Sequence, residues 1–214
     1  MVEAFNNIHP ELTCSHAYQI LNTPIDQLES KSDLYTAAAH LINFPGNRTE
    51  QILLDLLVQS SGEQAVRIAK RKAVEVLGRL GATQSVPVIG QYLESDDIYL
   101  VENSVWALQQ LKCCDPAIIR RMLSLLQDKT QNLRVLIQCL ASLRVQESIE
   151  SIRLLQSSES LGVRGAAISA IAQFTNNKSD LDKLDLILNN FGIDFIWLGP
   201  SIFLVGLSVL WFSD

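Results

Sequence analysis

Cysteine, glycine and proline are all scarce in this chain of 214 residues, and each scarcity excludes something. The four cysteines, Cys14, Cys113, Cys114 and Cys139, form no disulfide framework, and the neighbours Cys113 and Cys114 cannot easily bridge one another. A reducing compartment is the simpler assumption, so a cytoplasmic location is expected. Ten glycines and six prolines leave little material for a long flexible linker. The opening stretch MVEAFNNIHPELTC lacks a basic segment followed by an apolar run, so no secretory signal is expected. His9, His16 and His40 are scattered, and none stands at metal-ligand spacing to a second His or a Cys, so no metal site is expected. No GxGxxG, GxxxxGK or GxSxG occurs, and no catalytic residue is assigned from the sequence. Positive charge is also short. Lys+Arg number 17 against 23 Asp+Glu, a net charge of −6, which argues against a surface that follows nucleic-acid phosphates.

What the chain does have is a repeat. LINF ends at Phe44, VLGRL at Leu80, WALQQL at Leu111, CLASL at Leu143 and AIAQF at Phe174, in steps of 36, 31, 32 and 31 residues. Three residues before these anchors stand Leu41, Leu77, Leu108, Leu140 and Ile171; six before stand Ala38, Val74, Val105, Ile137 and Ile168. Seven before stand Ala37, Ala73, Ser104, Leu136 and Ala167. That spacing is one apolar face of an α-helix, repeated five times. Between the anchor helices lie shorter periodic segments at Glu50–Val58, Ser85–Leu93, Pro116–Leu126, Ile149–Leu155 and Leu181–Leu188. Strand alternation is missing. The expectation is an all-α fold, an α-solenoid of about five HEAT-like two-helix repeats. The first step of 36 implies an insertion around Gly46–Ser61, and Ala17–Leu21 and Ile25–Leu28 read as N-terminal cap helices broken at Pro24.

Composition changes near residue 190. Six of 14 aromatic residues fall in the last 24, and the 19 residues from Phe195 to Ser213 carry no charge. The expected division is therefore a solenoid domain over 1–190 and a hydrophobic tail over 191–214. The tail is long enough to reach across much of a bilayer. Gly199-Pro200 interrupts it, however, and Asp194 and Asp214 flank it where Lys or Arg would be expected, so a helix covered by protein is favoured.

Positions one, five and nine before each anchor form a second stripe, away from the apolar face. It carries Tyr35, Ala39 and Asn43, then Arg71, Glu75 and Arg79, then Glu102, Trp106 and Gln110, then Arg134, Gln138 and Ser142, and last Gly165, Ser169 and Gln173. Tyr99 can lie on the same side as Trp106. Such a stripe is either a solvated face of i,i+4 ion pairs or the lining of a groove. Arginines paired with an exposed indole suit a flat, anionic, conjugated ligand. Cys139, beside the apolar face, reads as core; Cys113 and Cys114 read as turn residues open to solvent.

Three segments carry a family resemblance. SDLYTAAAHL at 32–41, AVRIAKRKAVEVLGRLGA at 65–82 and ESDDIYLVENSVWAL at 94–108 resemble the E/F-type phycobilin lyases of cyanobacteria, over roughly residues 30–175. Within that group the short length resembles the F subunit of the lyase that attaches phycocyanobilin to the phycocyanin α-subunit. The resemblance implies a subunit of a heterodimeric enzyme with an E-type partner. Its substrates would be phycocyanobilin, which is not a permanently bound cofactor, and a cysteine of the apo-phycocyanin α-subunit. Bilin propionates would favour Arg71, Arg79 or Arg134, pyrrole nitrogens Glu75 or Glu102, and the tetrapyrrole plane Trp106 and Tyr99. The expected location is the cytoplasm, near the thylakoid surface. The alternatives are a phycoerythrin lyase subunit, or a non-catalytic scaffold serving phycobilisome assembly or degradation.

Overall fold

The computed structural model describes residues 12–175. It is all-α, with no strand among the described residues. The chain divides into two compact units between Cys139 and Leu140. The tail over 191–214, the boundary near 190, His9 and the segment Leu181–Leu188 lie outside the described residues.

In the first unit, α1 (Cys14–Asn22) begins where Thr13 Oγ1 accepts the His16 N–H at 3.2 Å. After a 3₁₀ turn at Ile25–Gln27, α2 (Asp33–His40) leads into a second 3₁₀ turn at Leu41–Asn43. The region read as an insertion is α3 (Asn47–Val58), a helix longer than its counterparts in later repeats. Then come α4 (Gln64–Leu80), α5 (Val86–Gln91) and α6 (Ile98–Gln110), and α7 (Pro116–Leu125) follows. Helix α8 (Leu133–Ser142) crosses the division. The second unit holds α9 (Ile149–Leu155) packed on α10 (Leu161–Thr175). The anchor helices of the repeat are thus α2, α4, α6, α8 and α10, with α3, α5, α7 and α9 between them.

Burial follows the apolar spacing. All five residues three before the anchors are fully buried, from Leu41 to Ile171. Those six and seven before are buried as well. The anchors themselves depart from expectation. Leu111 is buried, but Phe44, Leu80, Leu143 and Phe174 are only half-buried. They sit at or beyond the last helical turn, where the chain is already leaving the core.

That exit has one recurring form. Gly81 (φ 72°), Lys112 (φ 52°) and Arg144 (φ 57°) each stand just after an anchor, in the left-handed region. The next residue, Ala82, Cys113 or Val145, donates its N–H to the carbonyl of Leu77, Leu108 or Leu140 at 3.1, 3.0 and 3.0 Å. This closure satisfies a carbonyl at the helix end and tucks a small apolar side chain inward. Ala82, Cys113 and Val145 are all buried. Cys113 is therefore not the exposed thiol that its turn position suggested; only Cys114 faces solvent. Burial pushes the Cys113 thiol upward, and it pushes Cys139, packed 3.7 Å from the Met122 sulfur, up to about 12.

Candidate functional site: a pocket across three repeats

Helix α4 is flanked by α2 and α6. The residues nine before the anchors, Tyr35, Arg71 and Glu102, come from these three helices and meet around one pocket of about 280 Å³. Its wall is completed by Ile68, Lys72 and Glu75 on α4 and by Tyr99 and Asn103 on α6. Four of the seven site residues read from the sequence, Arg71, Glu75, Tyr99 and Glu102, are thereby brought together. Arg79, Trp106 and Arg134 are not part of the lining. Lys72, Ile68 and Asn103 escaped the stripe. Ile68, Lys72 and Asn103 each stand three before a stripe residue, Arg71, Glu75 and Trp106, so widening the stripe by its i−3 neighbours reaches them.

The charges of the pocket are mostly spoken for. Arg71 grips Asp97 with two bonds of 2.9 Å, Nε to Oδ2 and an Nη to Oδ1. The Asp97 side chain is only 3% exposed, and the same carboxylate caps α6 by accepting the N–H groups of Tyr99 and Leu100 at 3.1 and 3.2 Å. Arg67 adds a longer contact to it at 3.8 Å. The Arg71 guanidinium also lies 4.8 Å from the centre of the Tyr99 ring, and Asn103 Nδ2 donates to the Arg71 carbonyl at 3.2 Å. On the other wall Lys72 pairs with Glu75, which also accepts from Arg79 Nε at 2.9 Å. Lys72 sits 5.3 Å from the Tyr35 ring. Glu102 differs from the rest: of the four charged side chains lining the pocket, it alone has neither ion pair nor hydrogen bond.

Trp106 occupies another setting, one turn further along α6. It is half-buried, not an open face, and the Arg79 guanidinium covers its ring at 5.3 Å. Gly78 makes room beside it. A Cβ at Gly78 would meet Ala107 Cβ at 2.9 Å, Ala107 Cα at 3.0 Å and Trp106 Cζ3 at 3.2 Å. Arg134 is half-buried on α8. The stripe is also less uniform than its spacing suggests, since Ala39, Gly165 and Ser169 are buried. Among the described residues no group of His, Cys, Asp or Glu could hold a metal ion, and no helix is long and apolar enough to cross a membrane.

Residues 69–95, which carry Arg71, Lys72, Glu75 and Arg79, match the family described as PBS lyase HEAT-like repeat. The chain is 52% identical over 161 residues to the bilin biosynthesis protein CpeY of Synechococcus sp. (strain WH8020), covering 75% of this chain and 38% of that protein. It is 38% identical over 179 residues to the uncharacterized phycocyanin operon protein Y of Pseudanabaena tenuis (strain PCC 7409), covering 84% of this chain and 43% of that one. It thus spans less than half the length of these two relatives. Among solved structures it resembles the complex of CpcE and CpcF of phycocyanin lyase from Nostoc sp. PCC7120, with TM-score 0.70 and 23% identity, over 84% of this chain and 71% of the matched one. That likeness shows the fold. The sequence similarities are thus to a PBS lyase HEAT-like repeat and to a bilin biosynthesis protein, and they do not single out an F subunit.

Proposed function

We propose that this chain is a subunit of a bilin lyase, which with an E-type partner attaches phycocyanobilin through a thioether to a cysteine of the phycocyanin α-subunit. The observation that carries the reading is Glu102, an unpaired carboxylate in a pocket edged by two tyrosine rings and built from consecutive repeats. A tetrapyrrole presents a flat conjugated face and converging N–H donors, which suit aromatic rings and a free carboxylate respectively. Arg71 is a poorer propionate ligand than its position on the stripe suggests, because Asp97 already takes the Nε–Nη edge of its guanidinium and neutralises its charge. The propionates are better placed toward solvent or toward a partner's cations.

The pocket is small for an open-chain tetrapyrrole. Ligand sites that enclose a drug-sized molecule run from about 300 to 1,000 Å³. A volume near 280 Å³ fits part of such a ligand and leaves the remainder for a partner or the acceptor protein to cover. In the reaction the acceptor thiol adds across the bilin's ethylidene double bond. A C–S bond forms and the thiol proton passes to carbon, with no oxidant or reductant consumed. The chain's part is to hold the bilin in one orientation while the thiol arrives, a contribution of proximity.

The test is co-expression of the full chain with a phycocyanobilin source, an E-type partner and apo-phycocyanin α-subunit. Zinc-fluorescent, covalently coloured α-subunit that depends on this chain is the expected result. Colour on a phycoerythrin subunit alone would move the substrate assignment. Binding of phycobiliprotein without any attachment would replace the enzyme with a scaffold.

A further inference from the structure

We infer that the pocket holds its bilin as the protonated, cationic chromophore, with Glu102 as the counter-ion. This rests on the bilin reading above and adds the ligand's charge state to it. The argument is one of charge pairing. Asp97 pairs with Arg71, and Glu75 accepts from both Lys72 and Arg79, so each cation lining the pocket is held by a carboxylate other than Glu102, although the Lys72–Glu75–Arg79 cluster keeps one positive charge in excess. Glu102 is left with no partner. The groups facing the same space are Tyr35 from α2, Arg71, Lys72 and Glu75 from α4, and Tyr99 on the carboxylate's own helix. Neither tyrosine supplies positive charge, and both cations are engaged elsewhere.

A ligand that enters strips water from a half-buried carboxylate. A neutral chromophore returns N–H bonds in which only the carboxylate is charged. A chromophore carrying one more proton on its ring nitrogens returns an ion pair, with charge on both partners, and so offsets more of the lost hydration. The proton comes from solvent, so protonation and binding are linked. An opposite charge within about 4–6 Å raises the pKa of a cationic acid by about 1–3 units. The bilin's protonation midpoint should rise by that amount on binding. The aromatic rings act in the same direction, since the faces of Tyr35 and Tyr99 favour a cation over a neutral ring.

The experiment is a pH titration of phycocyanobilin absorbance, free and bound to the purified full chain, alone and with an E-type partner. It is repeated with Glu102→Gln and Glu102→Asp, with helical content checked by circular dichroism. The expected result is a midpoint raised by about 1–3 units in the wild type and in Glu102→Asp, and returned toward the free value in Glu102→Gln. An unshifted wild-type midpoint overturns the inference and leaves the bilin site standing. So does an equal shift in Glu102→Gln. If phycocyanobilin fails to bind the wild type, with or without partner, the bilin reading falls and this inference falls with it. If only Glu102→Gln fails to bind, the wild-type and Glu102→Asp midpoints decide.

Discussion

A single carboxylate, Asp97, holds the pocket's architecture although it does not line it. Its Oδ1 caps α6, both oxygens fix the Arg71 guanidinium, and together they set the position of Tyr99 beside that guanidinium. Removing it leaves a half-buried cation without its partner and a helix without its cap. Asp97→Ala should cost about 3–5 kcal/mol, read as a lower urea midpoint. Asp97→Asn should cost less, because Asn still caps. Equal losses in the two variants would show that the cap contributes nothing. Cys139 gives a different test. Its folded thiol titrates near 12 and an unfolded one near 9, so the unfolded state gives up its proton first as pH rises. The stability is complete below about pH 9 and is lost progressively toward pH 12, by at most about 1.4 kcal/mol per pH unit. Cys139→Ala should be less stable at neutral pH but lose stability less steeply over that window. Parallel slopes in the two proteins would place the alkaline sensitivity in other groups.

Among the helices, the crossing of α4 and α6 is the tightest feature near the site. Gly78→Ala gains about 1 kcal/mol of helix propensity. Its new Cβ, however, meets the backbone of Ala107 at 3.0 Å, and overpacking of this kind costs about 1–3 kcal/mol. The variant should melt lower than wild type; a higher melting temperature would mean the helices separate freely. Leu108→Ala, one residue along and fully buried, should cost about 2–5 kcal/mol by opening a cavity. The burial of Leu108 was legible in the sequence, because a 3.6-residue period places every residue three before an anchor on the same face. The half-exposure of Leu80 and Leu143 was not legible. Both stand at the helix end before a left-handed closure, at positions 81 and 144, and only the first of these is a glycine; Leu111 keeps its burial before the same closure at 112. Lys112 and Arg144 give no sequence sign of that conformation. The site was half legible for a similar reason. Period places Arg71 and Glu102 on one stripe, but the partner that occupies Arg71 sits in the loop before α6, outside any helical period.

At the scale of the whole chain, a pocket of about 280 Å³ is smaller than its proposed ligand, so under the proposed function part of the bilin is left for a partner to cover. Tyr99 is 57% and Tyr35 39% exposed. Hydroxyl-radical labelling of both rings should fall when phycocyanobilin binds, and fall again when an E-type partner is added. If the partner leaves labelling unchanged, its contact surface lies elsewhere. The Gly78–Ala107 crossing has a last consequence, for what this scaffold can be taught to accept. Gly78 lies three residues from Glu75, about 5 Å along the helix. Held this close about one turn from the Glu75 wall, α4 and α6 have little freedom to spread for a bulkier guest. New chromophore choice must then come from trimming or exchanging wall side chains such as Ile68 and Lys72, with the backbone held constant. A substitution library confined to those walls would explore ligand scope without re-solving the folding problem each time.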